Sequence, residues 1–187
     1  ELCEWLADAQ ETGGAPSRAA QLWLYAAECR LEKGEGEAAL ATLARLQSLE
    51  PGNERIGPLR AGALEIAGRL EEARAERLAL ARLAWEKGET EPAEEQIRRV
   101  LESDPENEGA LEILIEWMGE TGRQAEAAAQ WMRIAALRMR AANLEGALEA
   151  ARKARAAAPD WAEARELAVE LALRAGRIDE ALDALAE

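Results

Sequence analysis

The sequence predicts an all-α protein, an α-solenoid of about ten stacked antiparallel helices. Glycines recur 54 residues apart, and a second series of small residues and a series of prolines keep the same step. Ala, Leu, Glu and Arg dominate the composition, and all four are good helix formers. A fixed period of this length indicates one supersecondary unit stacked on itself. The series are Gly14, Gly68, Gly122 and Gly176; Gly34, Gly88 and Ala142; and Pro51, Pro105 and Pro159.

Each 54-residue unit contains three predicted helices. In the unit that starts at Gly68, apolar residues three to four positions apart predict a long helix over 69–87, which Gly88 ends. The same pattern predicts helices over 90–102 and 108–120, separated by a proline stop. We therefore expect one repeat domain over 1–187, with units near 14–67, 68–121 and 122–175 and partial units at both ends.

The counterpart of the third helix, over 55–67, differs from the other copies. Gly57, Pro58 and Gly62 interrupt it. Glycine and proline both weaken a helix interior, so we expect this helix to be shortened or locally irregular. It is also the expected flexible point of the array.

Composition excludes several classes of function. The net charge is −14 and there is no histidine, so we expect no nucleic-acid binding and no histidine-based catalysis or metal site. No nucleophile-elbow serine or phosphate-loop motif occurs, so we expect neither an enzyme nor a cofactor. The two cysteines, Cys3 and Cys29, follow no metal-ligand pattern, and Cys29 shares a column with leucines, which indicates a core position.

Localisation and source rest on weaker signals. No apolar run approaches the ~18 residues of a membrane span, and unpatterned cysteines fit a reducing compartment, so we expect a cytoplasmic protein. The chain begins without Met and stops inside an expected helix, so we expect an excised piece of a longer array. Abundant Ala and Arg without Phe or His fit a GC-rich bacterial source or a designed sequence. Divergence between the units favours the natural source.

The columns resemble the tetratricopeptide repeat. That family has a 34-residue helix–turn–helix with a large residue, then small residues, an Ala in the second helix and a late Pro. Three copies carry the match in phase: Trp23, Ala26, Ala27, Ala39, Leu43, Leu46 and Pro51; Leu80, Ala81, Ala93, Ile97, Val100 and Pro105; and Trp131, Ile134, Ala135, Ala147, Ala151, Ala154 and Pro159. The resemblance implies a superhelix that binds proteins.

The spacing departs from that family in one respect. The steps between turn residues alternate between 34 and 20, and twenty residues hold only one helix and a turn. The long helix must therefore belong to two neighbouring motifs. Three antiparallel helices per unit reverse the chain direction at every unit, so either the long helix crosses the others obliquely or the structure alternates over two units.

The resemblance also supplies candidate binding residues. In the family, the first helix of each pair lines a groove, and the matching positions here are Glu4 and Asp8, Pro58 and Gly62, Glu112 and Glu116, and Glu166 and Glu170. Three of the four copies place two carboxylates one helical turn apart. Family members that clamp a peptide carboxylate carry basic or amide residues there, so this stripe suggests a basic partner instead. A solvated acidic face with no partner is the alternative.

The six tryptophans fall into two sets. Trp5, Trp23 and Trp131 lie in apolar columns and are expected in the core. The other three have no aromatic equivalents, so each either covers the core or anchors a partner. Trp85 and Trp117 are candidate partner contacts.

These observations predict an adaptor or scaffold that holds a protein or peptide, which the acidic stripe suggests is basic. Three alternatives stay open. The chain is a chaperone-like module with an apolar groove, a self-assembling array with uncapped ends, or a regulatory arm of a larger enzyme. Its oligomeric state is open as well.

Overall fold

The computed structural model describes residues 2–186, and this part of the chain forms eleven α-helices and no strand. The expected all-α fold is therefore confirmed, and the bounds predicted for the Gly68 unit agree to within one residue. The helices are α1 (Leu2–Thr12), α2 (Pro16–Glu32), α3 (Gly36–Leu49), α4 (Ile56–Ile66), α5 (Leu70–Glu86), α6 (Thr90–Ser103), α7 (Glu108–Glu120), α8 (Gln124–Arg140), α9 (Leu144–Ala157), α10 (Ala162–Arg174) and α11 (Ile178–Ala186).

The residues of the two small-residue series end helices, as predicted. Six glycines of these series have positive φ, from 73° to 77°, and Ala142 has φ 57°. The amide that follows each one donates to a carbonyl five residues earlier, as Arg69 N does to Leu64 O at 2.9 Å. This left-handed cap satisfies a carbonyl at the helix end and turns the chain within a few residues. The short turns make successive helices antiparallel.

The helices group into two compact units, which we call the N-terminal unit (up to Arg99) and the C-terminal unit (from Val100). In the N-terminal unit α1 packs on α2, α2 on α3, α3 on α4 and α4 on α5, and α2 also contacts α4. Its core contains Trp23, Leu43, Leu46 and Ile56, with alanines where helices come close. The helices of this unit therefore alternate between two layers, and α1 and α4 lie in different ones.

In the C-terminal unit the packed pairs are α7 with α8, α8 with α9, α9 with α10, and α10 with α11. Leu111, Ile134, Leu148 and Leu171 are fully buried there, among nine alanines and other apolar side chains. The many alanines let neighbouring helices approach closely, so the large residues fill the spaces between them. Each unit is therefore a stack of antiparallel helices.

Helix α4 confirms the first of two predicted alternatives. It has 11 residues where α7 and α10 have 13, so it is shortened, but it is uninterrupted rather than irregular. Pro58 lies in its first turn, where its missing N–H leaves no bond unmade. Gly62 sits within the helix with no neighbouring atom near its side-chain position.

Four residues were predicted to lie in the core, and the structure buries them to different degrees. Trp23 is buried, as expected. Trp5 was predicted to be in the core but is 67% exposed, because α1 packs on α2 while the opposite side of α1 faces solvent. Cys29 is only half-buried. Trp131 is partly buried against the core of the C-terminal unit.

One buried residue was not expected from the sequence. Arg77, on α5, is 3% exposed and occupies the column of Trp23 and Trp131. It donates to both carboxylate oxygens of Glu65, at 2.6 and 2.8 Å, and to Gln96 at 2.9 Å. The Arg77 hydrogen bond, helped by its charge and opposed by burial, lowers the pKa of Glu65. This network ties α5 to α4 and α6.

Candidate functional site

The first predicted carboxylate, Glu4 on α1, is an internal ion-pair partner. Arg30 Nε of α2 donates to Glu4 Oε1 at 2.6 Å, and Thr42 Oγ1 of α3 donates to the same oxygen at 3.3 Å. Burial alone would raise the pKa of Glu4, but the Arg30 hydrogen bond and charge outweigh it and lower the pKa. Asp8, one turn further along α1, is exposed. Glu4 therefore joins three helices, and Asp8 faces solvent.

The same arrangement recurs in the C-terminal unit. Arg138 Nε of α8 donates to Glu108 at 2.9 Å, and its Nη2 donates to Glu112 at 3.3 Å. Arg138 lies 108 residues after Arg30, and Glu112 lies 108 residues after Glu4. Both distances are twice the 54-residue step. Sequence reasoning treated the glutamates as free and missed both arginines. Comparing the columns at twice the step would have found the pairs.

The remaining carboxylates do not form one continuous stripe. Glu116 on α7 and Glu166 on α10 are exposed, while Glu170 pairs with Arg174 of its own helix at 2.6 Å. Two packed helices, α8 and α9, separate α7 from α10. The structure thus brings Glu112 and Glu116 together on α7, and Glu166 and Glu170 together on α10, but does not join the two pairs.

The two candidate tryptophans differ in exposure. Trp85 on α5 is half-buried. Trp117 on α7 is only 9% exposed and belongs to the core, with the Arg123 guanidinium 5.2 Å from the centre of its ring. Of the two roles that the sequence leaves open for Trp117, this burial favours the core role, since a partner would reach little of its surface.

A concave surface lies in the N-terminal unit, over α4 and α5. It is an opening of about 430 Å³ that continues into a smaller one of about 150 Å³, and we call the two together the α4–α5 groove. Leu80 lines both openings, and Leu83, beside it, is 48% exposed. The groove is lined by Gln47, Pro51, Gly52, Asn53, Glu54, Ile56, Gly57, Pro58, Arg60, Glu76, Ala79, Leu80, Leu83, Ala84, Lys87, Glu89, Pro92 and Gln96.

Two ion pairs flank the apolar part of this groove. Arg60 donates to Glu76 at 2.6 Å and to Gln47 at 3.1 Å. Lys87 donates to Glu54 at 2.5 Å, and this hydrogen bond lowers the pKa of Glu54 and raises that of Lys87. The charges of each pair balance, so the groove presents an apolar strip between two neutralised polar edges.

Small residues on α4 open this groove. A Cβ on Gly57 would lie 2.6 Å from Leu80 Cδ2, so Leu80 occupies the space that a side chain on α4 would fill. Pro58 stands at the position where the other copies carry glutamate. Sequence reasoning placed Pro58 and Gly62 among the groove positions but missed Leu80 and Leu83. The sequence signal that could have pointed to these leucines is that α4 is the one copy in which both carboxylates are replaced, by Pro58 and Gly62.

The described residues supply no evident metal site or membrane segment. Nowhere between residues 2 and 186 do three or more Cys, Asp or Glu side chains come together in a way that could hold a metal ion. No helix in this range is both long and apolar enough to cross a membrane.

No protein-family model and no curated protein matches the chain. It is similar to several solved structures at low identity. MamA from Desulfovibrio magneticus RS-1 is 17% identical over 89% of this chain and 91% of that one, with a TM-score of 0.42. A tetratricopeptide repeat protein from Parabacteroides merdae ATCC 43184 is 18% identical over 89% of this chain and 77% of that one, with a TM-score of 0.32. PilW, a type IV pilus biogenesis factor, is 15% identical over 99% of this chain and 90% of that one, with a TM-score of 0.28.

Proposed function

We propose that this chain is a protein-interaction module whose N-terminal unit holds a segment of a partner protein in the α4–α5 groove. The observation that carries the proposal is the exposed Leu83 beside Leu80, in a concave surface with polar edges. Binding sites combine apolar area with a few placed polar groups in this way. The module acts as an adaptor, since its groove offers apolar contact area beside two ion pairs.

The partner segment carries an apolar side chain for Leu80 and Leu83 and basic residues around it. The N-terminal unit has 19 acidic and 13 basic residues, a net charge of −6, which attracts a basic segment at long range. Within the groove, Glu54 and Glu76 already have basic partners, so charge supplies attraction and the leucines supply the anchor. An apolar peptide without charge should bind more slowly and more weakly.

Fluorescence anisotropy with labelled twelve-residue peptides tests this proposal. One peptide alternates Leu with Lys, the second Leu with Glu, and the third Ser with Lys. We expect saturable binding of the Leu–Lys peptide, weaker binding of the Ser–Lys peptide and none of the Leu–Glu peptide. Affinity for the Leu–Lys peptide should fall as salt rises, because the attraction between exposed charges is screened.

The variant Leu83→Glu locates the site. It should weaken binding of the Leu–Lys peptide by about tenfold or more, as expected when a central anchor is lost. Leu173→Glu is the matched control, since Leu173 is 54% exposed on α10 and lies outside the groove. Equal affinities of the two variants, or no saturable binding of any peptide, would contradict the proposal.

The exposed carboxylates Asp8, Glu116 and Glu166 remain candidates for a second contact with a basic partner. Glu116→Lys is the clean probe, because Glu112→Lys would also place a lysine beside Arg138 and disturb the fold. Glu94→Lys is its control, since Glu94 is an exposed glutamate of α6. If Glu116→Lys and Glu94→Lys reduce affinity alike, the α7 carboxylates have no special role.

A further inference from the structure

A second opening adjoins the α4–α5 groove in the N-terminal unit. It has a volume of about 470 Å³ and lies over α3, α4 and α5. Its apolar lining consists of Leu40, Leu64 and Ala75, one from each of these helices. Arg60 and Glu76, the ion pair at one edge of the groove, also line this opening. The groove and the second opening are therefore neighbouring parts of one surface, and a single ion pair divides them.

Three ion pairs follow one another along α5. Leu80 and Leu83 lie between the first pair and the second in the sequence of this helix, and Ala75 lies between the second and the third. The apolar surface thus has two parts, and each part has an ion pair on both sides. From the C-terminal end of α5 to its N-terminal end, the pairs are Lys87 with Glu54, Glu76 with Arg60, and Glu72 with Arg69.

The exposure of these pairs differs between the outer two and the middle one. In the first pair Glu54 is 79% exposed against 38% for Lys87, and in the third Glu72 is 58% exposed against 41% for Arg69. In the middle pair the order is reversed, with 34% for the guanidinium and 19% for the carboxylate. A ligand along this surface therefore meets a carboxylate at each end and a charged hydrogen-bond donor between them.

The distance between the two apolar parts sets the length of a segment that reaches both. Leu83 and Ala75 are eight residues apart on α5, which corresponds to about 12 Å along the helix axis. An extended chain covers this distance in about four residues, and side chains at that spacing point to the same side. The backbone of such a chain needs hydrogen-bond partners, and Arg60 has more N–H donors than its bonds to Glu76 and Gln47 require.

From this order we propose that the partner segment is extended and carries two apolar anchors about four residues apart, with a basic residue outside each anchor. The first anchor is the one that the proposed function places in the α4–α5 groove, at Leu80 and Leu83, so this inference rests on that function. The second anchor lies in the second opening, against Leu64 and Ala75. The basic residues reach the carboxylates of the outer pairs, and Arg60 donates to a carbonyl between the anchors. A segment with one anchor fills only one part, so the spacing selects the partner.

Short labelled peptides test the spacing by fluorescence anisotropy with the whole chain. The reference peptide is Lys-Leu-Ser-Ser-Ser-Leu-Lys with both termini capped. A single-anchor peptide has serine in place of the second leucine, and a shifted peptide, Lys-Leu-Ser-Ser-Leu-Ser-Lys, has the same composition with the leucines one residue closer. We expect the reference peptide to bind about tenfold more tightly than either, because the second leucine of the others is absent or points to the opposite side.

A fourth peptide of the same composition tests the outer carboxylates. In Ser-Leu-Lys-Ser-Lys-Leu-Ser the lysines lie between the leucines, next to Arg60 rather than beside Glu54 and Glu72. We expect it to bind more weakly than the reference peptide at low salt, and the difference should shrink at high salt because exposed charges are screened. Equal affinities at low salt would contradict the placement of the basic residues.

Two variants of the chain separate the two parts of the surface. Ala75 is exposed, so Ala75→Gln should keep the fold and block the second opening, and the reference peptide should lose its advantage over the single-anchor peptide. Leu83→Glu, in the groove, should weaken binding of both peptides. Ala125→Gln is the matched control for Ala75→Gln, since Ala125 is an exposed alanine of α8 in the C-terminal unit, and it should preserve the advantage.

The outcomes distinguish this proposal from the proposed function. If all the peptides bind alike and Leu83→Glu weakens them all, the groove binds a partner but the second opening has no role. Tighter binding of a longer peptide whose leucines lie seven residues apart, with a rise in its helicity by circular dichroism, would replace the extended segment with a helix. If no peptide binds saturably, the proposed function and this inference are both wrong.

Discussion

Replacement of Arg77 measures how much one buried ion pair stabilises the N-terminal unit. The Arg77 side chain is fully enclosed and makes three hydrogen bonds, two of them to Glu65. Removal of one partner of a buried pair typically costs about 3–5 kcal/mol. The Glu65 side chain is 40% exposed, so water compensates part of its charge. We therefore expect Arg77→Ala to lower the free energy of unfolding by about 2–3 kcal/mol.

Arg77→Met separates pairing from packing. It removes the charge but keeps most of the volume, and it leaves Glu65 unpaired as Arg77→Ala does. We expect it to lower the free energy of unfolding by about 1–2 kcal/mol, less than Arg77→Ala, because it leaves no large cavity. Arg69→Ala is the control, since it breaks an exposed pair with Glu72, and exposed ion pairs contribute little to stability.

The assay is urea unfolding followed by circular dichroism at 222 nm. If Arg77→Ala is no more destabilising than Arg69→Ala, the argument from burial is refuted. The pH dependence gives a second readout. Arg77 lowers the pKa of Glu65, so the stability from this pair is complete above the unfolded pKa of about 4.3 and is lost as the pH falls through the folded value. The difference in free energy of unfolding between the parent and Arg77→Met should therefore shrink as the pH falls through the folded pKa of Glu65.

Three further substitutions add or remove a glycine, and thermal unfolding checks all three. Gly36→Ala should destabilise the protein by about 1–3 kcal/mol, because its Cβ would lie 2.6 Å from the Ala63 oxygen. Gly62→Ala has open space around it and should stabilise the protein by up to about 1 kcal/mol. Ala142→Gly should stabilise it by about 1 kcal/mol, since Ala142 has φ 57° and glycine has no steric cost there. A lowered midpoint for Ala142→Gly, or equal effects of the two Gly→Ala changes, would contradict these assignments.

Local signals explain why the helix bounds could be predicted. Helix ends depend on the residue that adopts positive φ and on proline, and both can be recognised within a few residues of sequence. Pro58 shows how such a signal can be misread. The helix predicted over 55–67 already places Pro58 in its first turn, where proline is tolerated, and α4 begins at Ile56.

The candidate site was harder to predict because it depends on contacts between helices. Glu4 and Arg30 are 26 residues apart, and only the packing of α1 on α2 shows that the carboxylate is neutralised. Trp117 has no aromatic equivalent in its column, which left a core role and a partner contact both open, and only the packing of α7 shows that it is buried. Residue type and column alone do not distinguish a partner contact from a core contact.

The α4–α5 pair is where this chain departs most from its own pattern, and the departures belong together. This copy has Pro58 and Ala84 where the others carry the Glu and Arg pair, so it lacks the tie between those helices. The Arg77 network with Glu65 and Gln96 supplies another tie, deeper between the helices. At the outer surface Gly57 leaves room for Leu80, beside the ion pair of Arg60 with Glu76, and the proposed groove lies there. The groove that we propose as the binding surface thus lies in the copy that lacks the Glu and Arg pair.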